Sequence, residues 1–312
     1  MKSTSRTVII IAAALVGVGV ILAFLGYALS GFHINNIQSN STFEHNSYTY
    51  DAAGVTSIDI SDIDSPVILQ SSSAESIAID CYENSNYRYE IKQNMNGTLS
   101  VQKINSTKWG FQNWFHYDFT EKPLTVTIPS ELIAEVSVSD VSGEISIRDI
   151  QTLSLSASNT SGSILIENTD VRGDLRASSV SGTVSFDSAS ISGNLSSTTT
   201  SGAIQTRAVS VGADTEFSSV SGNIRLNDTD ISEDITLGTT SGSIDFEMLS
   251  GNNLNFHTVS GRISGTLHAN SLDYNIVSNS LSGKVSVMGG SAKGTKRLEV
   301  SSTSGDINIT FE

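Results

Sequence analysis

Apolar residues recur along most of this chain with a spacing that repeats about every twenty residues. The unit that begins at Val180 has apolar residues at offsets 0, 4, 6, 11 and 15, and the unit that begins at Val220 has the same spacing. Apolar residues two positions apart are typical of a strand with one buried face. Each unit therefore predicts two short strands whose residues at these offsets, including offset 0, lie in the core.

A Ser-Gly pair follows offset 0 in every unit. Glycine adopts positive φ at no steric cost, and the side chain of serine can bond to nearby backbone groups, so both suit a tight corner. The sequence therefore predicts a turn with a left-handed glycine at each pair. The pairs are Ser142-Gly143, Ser161-Gly162, Ser181-Gly182, Ser201-Gly202, Ser221-Gly222, Ser241-Gly242, Ser260-Gly261, Ser282-Gly283 and Ser304-Gly305.

Strands of three to five residues cannot bury a face alone, but stacked copies share one continuous core. We therefore predict an all-β protein, a β-solenoid of about nine repeats of ~20 residues over residues 131–312. The offset-0 residues nearly alternate between valine and threonine, which fits either a 40-residue duplication or a two-coil unit. The spacing of the pairs changes after Ser250, and this predicts loops there.

Residues 52–130 also alternate, most clearly in the segment Leu124-Thr-Val-Thr-Ile-Pro129. A proline at the end of such a segment is typical of a strand terminus. Solenoids need protected ends because an open edge promotes aggregation. We interpret residues 52–130 as an N-terminal β cap and residues 31–51 as a stalk.

Residues 8–29 carry no charge and are long enough to cross a bilayer as a helix. Lys2 and Arg6 precede them, and the positive-inside rule then places the N-terminus in the cytoplasm. We predict that residues 1–30 are a transmembrane signal-anchor and that the protein lies in the cell membrane, with its C-terminal domain outside. A cleaved signal peptide is the alternative, although this apolar run exceeds the usual 7–15 residues.

The formal net charge is −15, from 17 basic and 32 acidic residues. Phosphate recognition depends on clustered Lys and Arg, so the acidic balance argues against nucleic acid and anionic lipid as partners. Cys81 is the single cysteine and has no internal partner for a disulfide. An exported body without disulfides fits a bacterial envelope.

The N-terminal span, the Leu124–Pro129 element and the serial Val-Ser-Gly-x-Ile units together resemble the bacterial DUF4097 family. Its domain is described as a "putative adhesin". The resemblance covers most of the chain after about Asp51. It implies a β-solenoid surface domain, sometimes encoded in operons concerned with cell-envelope stress, and supplies no catalytic residue to transfer.

One aromatic segment is the best candidate for a ligand or partner site. As a function, an exposed patch there would stack on glycans, bind a partner or contact the outer leaflet. As structure, the segment would be a plug that seals the cap onto the first coil, and the need of a solenoid end for apolar cover favours this interpretation. Its residues are Trp109, Phe111, Trp114, Phe115 and Tyr117.

Catalytic and metal signatures are weak. Two acidic clusters, residues 167–174 and 227–234, offer oxygens of the kind that Ca²⁺ prefers, but neither matches an EF-hand or a calcium β-roll. The five histidines lack metal-ligand spacing, and no Gly-x-Ser-x-Gly elbow occurs. We therefore expect no cofactor and no enzyme activity, with Ca²⁺ as the alternative ligand.

These observations lead to one main hypothesis and two alternatives. The main hypothesis is a non-enzymatic, membrane-anchored adhesin or binding module for a cell-wall polymer, a glycan or an envelope protein, with a link to envelope-stress signalling. One alternative is a β-helix polysaccharide lyase or hydrolase, which needs converging carboxylates. The other is a structural spacer, in which Gly222 would matter for folding and surface residues would not.

Overall fold

The computed structural model describes residues 43–105 and 122–312. These residues form 28 strands and one 3-10 turn, and they contain no α-helix. The transmembrane helix predicted for residues 8–29 lies outside the described residues. Within the described part, no helix is both long and apolar enough to span a bilayer.

The strands are numbered in chain order. Those of the N-terminal segment are β1 Glu44–Asp51, β2 Ser57–Ser61, β3 Val67–Ser72, β4 Ser76–Glu83, β5 Tyr87–Gln93, β6 Thr98–Asn105 and β7 Leu124–Pro129. Those of the repeats are β8 Glu135–Asp140, β9 Ile145–Arg148, β10 Gln151–Thr152, β11 Ser154–Asn159, β12 Ile164–Glu167, β13 Asp170–Val171, β14 Leu175–Ser179, β15 Val184–Asp187, β16 Ser190–Ile191, β17 Leu195–Thr199, β18 Ile204–Val211, β19 Thr215–Ser219, β20 Ile224–Ile231, β21 Ile235–Thr239, β22 Ile244–Ser250, β23 Leu254–Thr258, β24 Ile263–Leu267, β25 Tyr274–Ser280, β26 Val285–Val287, β27 Lys296–Ser302 and β28 Ile307–Phe311. The 3-10 turn covers Ser271–Asp273, just before β25.

The strands form two sheets, and each coil of the chain contributes one main strand to each. Sheet 1 has 16 strands and runs β1-β4-β7-β3-β9-β12-β15-β18-β20-β22-β24-β28-β26, with the short strands β10, β13 and β16 beside it. Sheet 2 has 12 strands and runs β25-β27-β23-β21-β19-β17-β14-β11-β8-β2-β6-β5. Successive coils pair in parallel and in register, as Leu155, Leu175 and Leu195 do. The predicted β-solenoid is confirmed.

The core lies between the two sheets and follows the predicted offsets 4, 6, 11 and 15. Val184 and Leu195 have no exposed surface and Phe186 is 1% exposed. The rings of Phe186 and Phe217 stack across the core, with centroids 6.0 Å apart and planes 1° apart. Large side chains from consecutive coils thus fill the space between the sheets.

The prediction that offset 0 lies in the core is wrong. Val180 is 48% exposed and Val220 is 50% exposed, because each stands just after its sheet-2 strand, where the chain turns toward sheet 1. The buried position is one residue earlier, at Ser179 and Ser219. Val180 and Val220 are apolar residues beside a turn, and they face solvent instead of the core.

The prediction of left-handed glycines at the Ser-Gly corners is also wrong. Among the described residues, glycines with positive φ occur only at positions 54, 97, 289 and 290. A Cβ on Gly222 would overlap the carbonyl oxygen of Gly202 on the neighbouring coil, so glycine is needed for close approach. Positive φ recurs instead in sheet 1, directly after β9, β12 and β15 and within β18, β20 and β22. The residues are Asp149, Asn168, Ser188, Ala208, Asp228 and Met248.

Both ends of the solenoid depart from sequence order. In sheet 2, β2 lies between β6 and β8, and β27 lies between β23 and β25. The coil of β2 and β3 and the coil of β27 and β28 are therefore paired on both sides, and a neighbouring segment forms the outer layer at each end. Residues 44–51, which we predicted as part of the stalk, form β1 at the edge of sheet 1.

Candidate functional site

A ladder of buried polar side chains holds each corner in place; we call it the corner ladder. In each coil, the last residue of the sheet-2 strand bonds to a glycine of its own corner, of the neighbouring coil, or of both. Gly182 N donates to Ser179 Oγ at 2.8 Å, and Ser179 Oγ donates to the carbonyl oxygen of Gly162 at 3.2 Å. The ladder consists of Asp140, Asn159, Ser179, Thr199, Ser219, Thr239, Thr258 and Ser302, all buried.

The next two residues of every corner point to solvent and form what we call the corner stripe. Backbone bonds align them between coils: Ser201 N donates to the carbonyl oxygen of Val180 at 2.9 Å. In spatial order, the offset-0 row is Val141, Thr160, Val180, Thr200, Val220, Thr240, Val259, Thr303 and Leu281. The parallel row is Ser142, Ser161, Ser181, Ser201, Ser221, Ser241, Ser260, Ser304 and Ser282.

The spatial order of the stripe explains its irregular sequence. Along the chain, the valine–threonine alternation breaks at Leu281 and Thr303. In the structure, Ser304 N donates to the carbonyl oxygen of Val259 at 2.8 Å and Ser282 N to that of Thr303 at 3.1 Å. Thr303 thus follows Val259, and the alternation continues to the end of the solenoid.

The outer face of sheet 2 extends the stripe with small hydroxyl side chains. Ser158, Ser178, Thr198 and Ser218 occupy one register position on four consecutive coils. Neighbouring coils are about 4.8 Å apart, so the hydroxyl groups recur at that interval. We call the corner stripe and this face together the hydroxyl face.

The outer face of sheet 1 carries charged side chains, as does the row of sheet 2 that contains Arg176 and Glu216. Arg207 pairs with Asp187, and Arg262 Nη2 lies 3.2 Å from Asp245 Oδ1. Hydrogen bonding to Arg207 lowers the pKa of Asp187. Exposed pairs of this kind contribute little to stability, so this face is a solvated surface.

A further ladder lies at the turn before the sheet-2 strands and accounts for several acidic residues. Asp174, Asn194, Asp214 and Asp234 each accept a bond from the backbone N–H of the equivalent residue on the next coil, at 3.0–3.2 Å. The bond from Asn194 N lowers the pKa of Asp174. These carboxylates serve backbone pairing, and the described residues contain no group of three His, Cys, Asp or Glu side chains close enough to hold a metal.

A buried charged cluster joins the first coils. Lys103 Nζ lies 3.4 Å from Asp62 Oδ1, and Tyr89 OH donates to Asp62 Oδ2. Burial, together with the charge of Asp62, raises the pKa of Asp140 to about 6, and Asp140 Oδ2 is buried without a hydrogen-bond partner. The cluster is closed to solvent, so it holds the coils together and presents no reactive group.

The aromatic candidate site, residues Trp109, Phe111, Trp114, Phe115 and Tyr117, lies outside the described residues. Its segment connects β6 to β7, and both strands belong to the N-terminal end of the solenoid. Sequence reasoning missed the corner stripe because it placed offset 0 in the core. The alternation of threonine with valine at that offset was a signal that the position is exposed, since threonine is common on the solvated surface of strands.

The geometry defines the class of protein, a parallel β-solenoid built from repeats, with a stripe of exposed serine and threonine side chains at its corners. The family model Toastrack DUF4097 matches residues 55–311, so the chain belongs to the DUF4097 family. No curated protein shows significant similarity to it.

Solved structures are similar to this chain at low identity. A protein from Parabacteroides distasonis ATCC 8503, described as a "putative lipid binding protein", is 16% identical with a TM-score of 0.53, covering 87% of this chain and 98% of that one. A "putative adhesin" from Parabacteroides merdae ATCC 43184 is 12% identical with a TM-score of 0.46, covering 87% and 98%. A "putative adhesin" from Bacteroides fragilis NCTC 9343 is 15% identical with a TM-score of 0.38, covering 88% and 99%.

Proposed function

We propose that this protein is a non-enzymatic, membrane-anchored adhesin or cell-envelope binding module whose contact surface is the hydroxyl face. The observation that carries the proposal is the regular row of exposed serine and threonine side chains along one side of the solenoid. A surface of this kind offers hydrogen bonds at a fixed interval and suits an extended, repetitive ligand. A cell-wall polymer or a glycan has that form.

Binding along such a surface relies on repetition. One exposed hydrogen bond contributes only about 0.5–1.5 kcal/mol. Linked contacts act at a high effective concentration, so several weak bonds on consecutive coils add up to useful avidity without a deep pocket. The corner ladder favours such binding, because its hydrogen bonds fix the spacing between the hydroxyl groups of consecutive coils before a ligand binds.

Residues 8–29 supply the anchor in this proposal, with the N-terminus in the cytoplasm and the solenoid outside the cell membrane. Their uncharged length and the preceding Lys2 and Arg6 support it. A membrane-held module that binds envelope polymers would also sense envelope stress, and we include that role in the proposal.

Binding of residues 31–312 to purified cell-wall polymers and glycans tests the proposal. Deleting hydroxyl groups on sheet 2 should weaken binding about tenfold or more, since each lost bond contributes to avidity. The test variant combines Ser158→Val, Ser178→Val and Ser218→Val, which keep strand propensity.

The matched control makes the same change on sheet 1. It combines Ser185→Val, Ser264→Val and Thr310→Val, whose side chains face outward from that sheet. The control should bind like the parent protein. An equal loss of affinity in both variants would mean that the contact surface is not the hydroxyl face. If the parent protein bound none of the polymers, only the hypothesis of a structural spacer would be left.

A further inference from the structure

The C-terminal end of the solenoid concentrates exposed apolar side chains. We call residues 268–295 the terminal coil; it contains the 3-10 turn, β25, β26 and the loop that follows. Met288 is 81% exposed, Leu281 is 78% exposed and Leu272 is 61% exposed. In the described part of the chain, Met95 is the only large apolar side chain that is more exposed than these three.

The exposure follows from the position of the terminal coil in the stack. Val285 pairs with Ile307 in register and so occupies a core position, yet it is 43% exposed because no further coil covers it. The N-terminal end differs, since the antiparallel strands β1, β4 and β5 lie over its outer layers. The two ends of the rod therefore present different surfaces.

The terminal coil is also less acidic than the rest of the protein, since it contains Lys284 and Lys293 against the single acid Asp273. Between Tyr274 and Leu298 the chain has four basic residues and no acidic one, whereas the whole chain has a net charge of −15. Lys296 is folded over the ring of Tyr274, and Arg297 pairs with Glu299. The other two, Lys284 and Lys293, are exposed and form no ion pair with any described residue.

We infer that the terminal coil docks onto an anionic lipid bilayer, with Leu272, Leu281 and Met288 inserted at the interface and Lys284 and Lys293 against lipid phosphates. The apolar side chains suit the acyl region of the bilayer, and the lysines beside them suit its anionic headgroups. This goes beyond the proposed function, because it assigns a second contact surface at the end of the rod, which shares only Leu281, the last residue of the corner stripe, with the hydroxyl face.

Two other occupants fit less well. A phosphate-bearing polymer would pair with the lysines but would leave the apolar side chains in water. A second terminal coil would bury the apolar side chains, but it would bring Lys284 and Lys293 of two copies together, and like charges repel. The bilayer is the occupant that uses both features.

The chain enters the solenoid at β1, at the opposite end from the terminal coil. In sheet 1, thirteen strands run from β1 to β26, and a spacing of about 4.8 Å separates these two ends by roughly 58 Å. At that distance, the terminal coil can contact a lipid surface other than the one that would hold the N-terminal anchor. The average acidic charge, which argued against anionic lipid, does not describe this end.

The test uses the full chain held in phosphatidylcholine nanodiscs, with binding measured to immobilised vesicles. Vesicles that contain phosphatidylglycerol should bind the protein, and vesicles of phosphatidylcholine alone should bind it weakly. Lys284→Gln combined with Lys293→Gln should lower affinity for the anionic vesicles roughly thirtyfold, at about fivefold per lysine. Leu281→Ser combined with Met288→Ser should lower it about tenfold.

The matched control changes the other end of the rod, with Met95→Ser and Lys92→Gln, and it should bind like the parent protein. All changed residues are exposed, and circular dichroism of each variant checks the fold. Equal binding to both kinds of vesicle would overturn the inference. Loss with the lysine variant but not with the apolar one would assign the tip to a phosphate polymer instead, and this would leave the hydroxyl-face proposal untouched.

Discussion

At the Ser-Gly corners, the backbone of each coil lies so close to the next that a single methyl group does not fit. A Cβ on Gly222 would overlap Gly202 O, and one on Gly242 would overlap Gly222 O. Neither atom belongs to a flexible side chain, so the coils themselves would have to separate. The glycine requirement is therefore steric, and it is repeated at every layer.

Gly222→Ala should destabilise the protein by about 2–4 kcal/mol, since overpacking against backbone cannot be relieved by a rotamer change. Urea denaturation of the two proteins measures the difference. Ser221→Ala is the control at the adjacent, exposed position, and its effect should stay within about 0.5 kcal/mol. Similar stability of the two variants would show that the corner has room to adapt.

Asp140 is the only acidic residue among the eight that form the corner ladder. Asn159 Nδ2, one coil further, donates to the carbonyl oxygen of Gly143. A carboxylate cannot donate in this way, which fits the partnerless Asp140 Oδ2 and its pKa of about 6. Protonation or replacement by asparagine would restore a donor toward the carbonyl oxygen of Ser65, which lies against Gly143 as the carbonyl oxygen of Gly143 lies against Gly162.

The raised pKa of Asp140 predicts a pH dependence with a definite sign. The folded protein holds this proton up to about pH 6, whereas the unfolded chain releases it near pH 3.8, so stability falls as pH rises between these values. The loss should be about 2–3 kcal/mol for a shift of this size. Asp140→Asn should remove this dependence and stabilise the protein at pH 7.5 by about 1–3 kcal/mol.

Thermal or urea unfolding from pH 4 to pH 7.5 measures the effect, with Asp59→Asn as the control. Asp59 lies on the exposed face of β2, so its replacement should leave the pH slope as it is. If the Asp140→Asn protein kept the parental slope, another group would be responsible for it.

At the scale of strands and turns, the corner ladder connects the two sheets. Thr239 Oγ1 donates to the carbonyl oxygen of Gly222 and accepts from Gly242 N, both at 3.1 Å. Its neighbour Thr240 is exposed on the corner stripe. The same residue type therefore has a structural role at one position and a surface role at the next.

Thr239→Val should cost about 1–3 kcal/mol, because it leaves the buried N–H of Gly242 without this acceptor. Thr240→Val should be close to neutral for stability, since valine occupies equivalent positions of the stripe. Chemical denaturation of the pair compares them directly. A neutral Thr239→Val would mean that the ladder does not stabilise the corner.

The strands were predictable from sequence because burial imposes a local pattern. Val184, Phe186 and Leu195 lie in the core as their spacing indicated. Val180 was not predictable from hydrophobicity alone, since a β-branched residue also suits an exposed corner. The order of β27 and β25 had no local signal, because it depends on which distant strands pair.

The candidate site was predictable only in part. Repeated Ser and Thr side chains indicated a hydrogen-bonding face, but the sequence did not reveal which hydroxyl groups are buried. Ser179 belongs to the interior and Ser178 to the outer face, one residue apart. The aromatic residues near Trp109 remain a prediction, because they lie outside the described residues.

At the scale of the whole molecule, the solenoid is a rod with two different sides and two different ends. Each coil contacts mainly its neighbours, so stability is built from repeated interfaces. The intercalated coils at both ends place the first and last repeats inside the sheets, where they pair on both sides. This arrangement protects the C-terminal strands β27 and β28 from fraying.

The stacking order is tested most directly by distances between spin labels on one register row of sheet 2. Cys81 is buried and the pKa of its thiol is raised to about 12, so it should not react with the label in the folded protein. Cysteines introduced in pairs at Ser158 and Ser301, or at Ser158 and Asn279, then carry the labels. These residues are linked through consecutive register partners.

The account predicts about 29 Å for Ser158 to Ser301, six coils apart, and about 34 Å for Ser158 to Asn279, seven coils apart. Asn279 is nearer in sequence yet should be farther in space. A shorter distance to Asn279 than to Ser301, or distances that do not follow the coil spacing, would contradict the intercalated stack and the surfaces derived from it.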